Sequence, residues 1–186
     1  MTNAELFKIC RITNPDRVDK TVERILARKE KYLPVVQATG VPWYFIGIIH
    51  EMENGGKFTG HLHNGDPLTA RTKQVPAGRP LKGEPPFTWQ ESAIDALQYV
   101  GFASSPGKEG ARLSWGLGAT LDRLERYNGP GYRKVGINSP YLWSGCQHYT
   151  KGKFIKDGVF DPNAVSKQIG AGVILVKMFA RDIIQL

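Results

Sequence analysis

Cysteine is nearly missing from this 186-residue chain: Cys10 and Cys146 are the whole complement. They stand far apart and neither belongs to a CxxC pair, so two free thiols or a reduced compartment is the simpler reading. Long hydrophobic runs are missing too. Nowhere do about 18 to 20 apolar residues follow one another, so no membrane span is expected. The first residues, Met-Thr-Asn-Ala-Glu-Leu-Phe-Lys, lack the basic start and apolar core of a signal peptide. Lysine and arginine form no long run, and no RRM, zinc-finger or helix-turn-helix spacing emerges, so no specific nucleic-acid partner is expected. HExxH is also missing, and there is no internal repeat.

What is present is a basic chain of ordinary core-forming content. With 41% hydrophobic residues it can bury one sizeable core, and a single domain over residues 1–186, acting as a monomer, is the expectation. The formal charge of +8 and a sequence pI near 9.5 favour an anionic partner: nucleic acid, a membrane surface, or the acidic polymers of a bacterial cell wall.

The sharpest local signal is Pro42 to Asn54. Proline suits the first turn of a helix, and Trp43, Tyr44, Phe45, Ile46, Ile48, Ile49 and Met52 leave no polar face wide enough for solvent. Gly55 and Gly56 supply the left-handed stop. Glu51 is thereby driven to the last turn, where the negative end of the helix dipole and apolar neighbours both favour the protonated carboxyl. Such an acid can give a proton to a leaving-group oxygen, as in glycoside hydrolysis. The plainer alternative is that Glu51 pairs with a basic residue, such as His50, or reaches water.

Elsewhere, Asn14-Pro15 opens a helix whose stripe runs through Val18, Val22, Ile25, Leu26 and Leu33. Asn64-Gly65, between His61-Leu62-His63 and Leu68-Thr69, predicts a hairpin lobe followed by a long loop within Gly55 to Pro86. Thr88 and Glu91 form a capping box before Ala93, Ile94, Leu97 and Val100. A loop over Gly101 to Gly110 precedes a helix marked by Leu113, Leu117, Leu121 and Leu124, ending at Tyr127-Asn128-Gly129-Pro130. Asp161-Pro162 predicts a final core helix carrying Val165, Ile169, Val173, Ile174, Val176 and Phe179. Gly170 and Gly172 within it point to close approach of another backbone. The expected class is mainly α (α+β), with a small β-hairpin lobe after the glutamate helix.

A buried helix ending in glutamate, a small polar lobe, and then Leu124-Glu125-Arg126-Tyr127-Asn128-Gly129-Pro130-Gly131 together resemble the lysozyme-like superfamily, especially goose-type lysozymes and soluble lytic transglycosylases. Ser139-Pro140-Tyr141-Leu142-Trp143 falls where those families place another substrate-side tyrosine. The resemblance is at motif level and covers about the central half of the chain. Where those families follow the glutamate with serine and later a Gly-Leu-Met-Gln segment, this chain has Met52-Glu53-Asn54 and then His61 to Leu68. It looks like a divergent branch of the phage-endolysin type.

The resemblance implies peptidoglycan as substrate, the β-1,4 bond from N-acetylmuramic acid to N-acetylglucosamine as the scissile link, Glu51 as general acid and no cofactor. A hydrolase then needs a second carboxylate or a base that orients water, whereas a lytic transglycosylase leaves 1,6-anhydro ends without one. Asp66 is the candidate second acid, with holding the Asn64-Gly65 turn as its plainer role. Glu53 is a weaker candidate, and Thr69 or Thr72 can position water. His61, His63, Asn64, Thr69, Tyr127, Asn128, Tyr141, Trp143 and Tyr149 are the candidate saccharide contacts, with Trp89 and His148 beside them; core packing is the commoner use of Trp89 and Trp143. The competing readings are a zinc peptidase or amidase built from His50, His61, His63 and Asp66, and a noncatalytic wall-binding module. Without a signal peptide, the expected route to the periplasm or exterior is release through a holin or at lysis.

Overall fold

The computed structural model describes residues 1–103, 113–156 and 158–186, and these are mainly helical. The elements run α1 (Asn3–Lys8), α2 (Pro15–Leu26), α3 (Lys29–Thr39), α4 (Trp43–Asn54), α5 (Trp89–Tyr99), α6 (Leu117–Asn128), α7 (Gly131–Lys134), α8 (Pro140–Trp143), β1 (Lys153–Lys156), β2 (Val159–Asp161) and α9 (Ala171–Ala180). No single helix among them is long and apolar enough to cross a membrane. The chain divides into two compact units: residues 24–114, and residues 1–23 together with 115–186, so the boundary falls inside α2.

In the unit spanning residues 24–114, α3 packs on both α4 and α5. Helix α4 begins after Pro42 and ends at Gly55, whose φ of 66° is the left-handed stop and whose N–H returns to Glu51 O. Phe45, Ile46, Ile48 and Ile49 are wholly buried on it, as an all-apolar helix requires. Helix α5 carries the expected capping box, with Thr88 Oγ1 accepting from Glu91 N–H and Glu91 returning to Thr88 N–H. The single stripe expected from Val18 to Leu33 is interrupted. Arg28 caps a new helix, and Leu33 and Pro34 belong to α3.

The Asn64-Gly65 turn forms, but it carries an isolated bridge between Gly60 and Pro67 rather than two strands. The one sheet among the described residues lies late in the chain: β1 pairs antiparallel with β2, Lys153 facing Asp161 and Phe154 facing Phe160. This corrects the expected hairpin lobe after the glutamate helix. Between His61 and Pro86, turn bonds such as His61 N–H to Asp66 O at 2.7 Å and Thr72 N–H to Arg79 O at 2.8 Å hold the backbone together with side chains, in place of a strand ladder.

In the other unit, α1 packs on α6 and α9, α6 on α8 and α9, and α8 on α9. Leu121, Leu124, Leu142, Trp143, Val173 and Ile174 form its buried core. Asn14 caps α2 by accepting from Arg17 N–H at 3.1 Å, and Asp19 on α2 pairs with Lys177 of α9 at 2.8 Å. The predicted helix start at Asp161-Pro162 fails: Asp161 pairs with Lys153 as the last residue of β2, and its carboxylate accepts from Asn163 N–H at 2.8 Å and Ala164 N–H at 3.2 Å in a turn that no helix follows. That turn closes β2. Helix α9 begins ten residues later, with Gly170 as its N-cap. Leu113 lies outside α6 and is exposed. The loop expected over Gly101 to Gly110 lies, from residue 104 on, outside the described residues.

The close backbone approach expected at Gly170 and Gly172 is present. A β-carbon on Gly170 would run into the Leu142 carbonyl, and one on Gly172 would sit 3.0 Å from Leu142 O. Backbone cannot retreat as a flexible side chain does, so Gly170→Ala is expected to cost about 1–3 kcal/mol. Gly118→Ala, in open space inside α6, is expected to stabilise by up to about 1 kcal/mol. Urea denaturation of the two variants beside the parent checks both signs.

Candidate functional site

Glu51 stands where the sequence places it, in the last turn of α4, with its side chain 10% exposed. Its surroundings differ from expectation. Arg24 from α2 donates to Oε1 through Nη2 and through Nε at 3.1 Å, and Arg28, the cap of α3, reaches Oε2 at 3.3 Å. The carboxylate is therefore an ion-paired group rather than a lone acid among apolar side chains, and its partners are arginines rather than His50. Gly56 makes room for this pair. It adopts φ of 72°, and a β-carbon there would collide with the Arg28 guanidinium and sit 3.0 Å from Glu51 Oε2.

His50, one residue earlier, turns inward and is wholly buried. Lys57 O can only accept, so Nε2–H donates to it at 3.0 Å. The remaining lone pair on Nδ1 receives the Tyr32 hydroxyl at 3.2 Å. Trp89 and Phe58 close the box, with ring centroids 4.5 Å and 4.7 Å from the imidazole. Burial pushes the imidazole down to about 4, and it pushes the Tyr32 phenol up. Both groups stay neutral around pH 7, and they anchor the turn of α4 from which Glu51 projects.

The polar segment after α4 is fastened through its candidate site residues. His61 Nε2–H donates to Ala70 O at 2.8 Å, and His61 Nδ1 accepts the Ser92 hydroxyl at 2.8 Å. His63 bonds Asp95 Oδ2 at 2.9 Å through Nε2, while Asp95 also meets Arg79 at 3.3 Å. Burial lowers the His63 pKa against the opposing pull of Asp95. Ser92, His63 and Asp95 thus line up in the connectivity of a hydrolytic triad. However, Ser92 is wholly buried, its proton goes to His61, and its oxygen accepts Leu62 N–H at 3.2 Å. No substrate reaches that hydroxyl.

Asp66 is occupied in the same manner. Oδ2 accepts Lys73 N–H at 2.8 Å and Gln74 N–H at 2.9 Å, and Oδ1 accepts Gln74 Nε2 at 3.2 Å. The Gln74 and Lys73 amides hold its carboxyl below the usual carboxylate range. Asn64 donates to Gln74 O at 3.1 Å and accepts Asp66 N–H at 3.0 Å. Thr72 is buried, and its Oγ1 takes Arg79 N–H at 2.9 Å. Thr69 is exposed. The ring nitrogens of His50, His61 and His63 all go to protein partners, so this set does not assemble the zinc site that the histidine count allowed.

The second set of candidates belongs to the other unit. Tyr127 is half-buried and Asn128 exposed at the end of α6, where Gly129 turns the chain with φ of 95°. Asn128 lines a cavity of about 670 Å³ whose other walls include Tyr132, Phe154, Lys134, Lys153 and Lys156. Tyr141 is half-buried. Tyr149 accepts Ser166 N–H on its hydroxyl at 3.0 Å. Trp143 is a correction to the saccharide contacts: it is wholly buried, and its indole N–H bonds Asn3 Oδ1 at 3.2 Å. Trp89 is likewise core, at 3% exposure. Sequence reading missed Arg24 and Arg28. Their spacing of four on the exposed side of a helical stripe was the available signal.

No protein-family model, curated protein or solved structure matches this chain.

Two expectations follow. The unfolded chain takes up a proton below about pH 6.5 that folded His50 refuses until about 4. Stability from this group is therefore complete above about 6.5 and falls as the pH drops toward 4, by up to about 3 kcal/mol. His50→Gln should flatten that limb in urea midpoints measured against pH. Arg28→Ala is expected to cost about 1 kcal/mol and Arg24→Ala less, since Arg24 is 46% exposed and exposed pairs are weak; thermal melts at low and high salt check the order.

Proposed function

We propose that the protein cleaves the β-1,4 bond between N-acetylmuramic acid and N-acetylglucosamine in peptidoglycan, with Glu51 as general acid. The observation that carries this reading is the placement of Glu51. An almost wholly apolar helix ends in a carboxyl that is nine-tenths covered, one residue beyond a wholly buried imidazole, and held by two arginines. A lone structural ion pair has no need of such a setting, which costs desolvation.

The arginines give the acid a route to its proton. In the resting chain they hold the carboxylate. Peptidoglycan stem peptides carry carboxylates of their own, and Arg24, nearly half exposed, is the partner a substrate carboxylate can reach and draw away, replacing one ion pair by another. Covering the site with substrate while drawing a guanidinium away leaves Glu51 able to take up the proton that it then donates to the bridging oxygen. The net charge of +8 favours retention on an anionic wall. In the other unit, the cavity beside Asn128 offers three lysines for acidic groups.

One observation favours a lytic transglycosylase as the second reading. Asp66, Glu91 and Asp95 are each committed to backbone or side-chain partners, and internal attack by the muramoyl hydroxyl dispenses with a second carboxylate. Digestion of purified peptidoglycan followed by mass spectrometry separates the two, since reducing ends mark a muramidase and 1,6-anhydro ends a transglycosylase. Glu51→Gln is expected to lower fragment release by about 10²–10⁴-fold. Undiminished release would remove Glu51 from the mechanism. Asp66→Asn is expected to leave turnover near the parent value.

A further inference from the structure

Cys10 and Cys146, separate in sequence, meet in space. The two sulfurs and a ring nitrogen of His148 all lie within 4.8 Å of one another. We propose that Cys10, Cys146 and His148 form a binding site for one zinc-class transition-metal ion that fastens the segment after α1 to the segment after α8.

Three features support this beyond proximity. The first is preorganisation of the backbone. Residues 9–13 lie antiparallel to 145–148 through an Ile12–Cys146 bridge, with Thr13 N–H to Gly145 O at 3.0 Å and Gln147 N–H to Arg11 O at 3.3 Å. Gln147 adds its side chain, accepting Arg11 N–H and donating to Ile9 O, both at 2.6 Å. The ligand atoms thus ride on backbone already locked in register.

The second is the orientation of His148. Its Nε2–H donates to Leu6 O at 2.9 Å, and Trp143 packs edge-on against the ring at 5.5 Å. A backbone carbonyl that holds one imidazole nitrogen is the usual outer support of a metal-bound histidine. It fixes the tautomer and leaves the Nδ1 lone pair for an ion.

The third is the thiol pair itself. Cys146 is buried while Cys10 and His148 are half-buried, so the cluster has a closed side and an accessible one. The Cys146 S–H donates to Trp143 O at 3.2 Å, a bond that gives way when the thiol yields its proton to an ion. A tetrahedral zinc with bonds of about 2.3 Å to sulfur and about 2.0 Å to nitrogen places two sulfurs about 3.8 Å apart. A sulfur and the nitrogen then stand about 3.5 Å apart, so the cluster needs to close by about 1.3 Å at most. Binding displaces the thiol protons to solvent and leaves the fourth position to water on the open side.

This site is independent of Glu51 and of any glycosidase activity. The test uses the full chain, reduced with a phosphine, freed of metal and titrated with cobalt(II). The expected result is thiolate-to-cobalt charge-transfer absorption with intense tetrahedral visible bands, saturating at a single ion per chain and bleached by zinc. Cys10→Ser and His148→Gln change half-buried side chains and should fold as the parent does by circular dichroism. Each should weaken cobalt by more than the roughly 10–100-fold that loss of an outer support costs. Absence of the charge-transfer band in the reduced chain overturns the proposal. So does a band that survives in both variants, and so does a chain that forms a Cys10–Cys146 disulfide on oxidation yet takes up no cobalt when reduced.

Discussion

The unit spanning residues 24–114 depends on how closely other side chains can lie against α4. Gly47 sets that distance. A β-carbon there would stand 2.6 Å from Ile25 Cγ2 and 3.1 Å from the Tyr32 ring, so only glycine lets both seat on the helix. Tyr32 in turn meets His50, and His50 meets Phe58 and Trp89. The position of Glu51 follows from this chain of contacts. A side chain one residue beyond a fully buried imidazole has little freedom to choose another direction, and the arginines that meet it come from the segments bearing Ile25 and Tyr32.

The polar segment after α4 shows how a stretch with almost no regular structure is held in place. Its backbone groups cannot satisfy each other through a ladder, so Asp66, Asn64, Thr72, His61 and Asp95 serve as cross-links. Buried polar groups demand partners, and here the partners are the turns themselves. Most residues that look like chemistry in the sequence are therefore spent on architecture. A serine, a histidine and an aspartate in triad order are silent because the serine is sealed.

How much was legible in the sequence follows from the range of each interaction. The limits of α4, the Thr88–Glu91 capping box and the end of α6 at Gly129 are decided by residues within four positions of one another, and the sequence displays them. The close approach at Gly170 and Gly172 was legible as well, because glycine in an otherwise apolar helix has few other uses. The start of α9 was misplaced because Asp161-Pro162 reads equally as a helix opening or as a turn after a strand, and pairing with Lys153 decided between them. The partners of Glu51 lie 23 and 27 positions away, and Cys10 and Cys146 lie farther apart still. The spacing of Arg24 and Arg28 marks them as a set, but no local pattern says which distant group each of these residues meets.

The division of the chain has a consequence for its birth on the ribosome. Residues 24–114 are one continuous stretch and need nothing downstream for their internal contacts. The other unit joins both ends of the sequence, since the strip around Ile12 finds its partner only at Cys146, and closing so long a loop is slow. During synthesis the inner stretch can therefore settle first, while α1 and the start of α2 wait exposed for about another hundred residues to emerge. The nascent protein passes through a stage in which α1 and the start of α2, made before the inner stretch, find shelter after it.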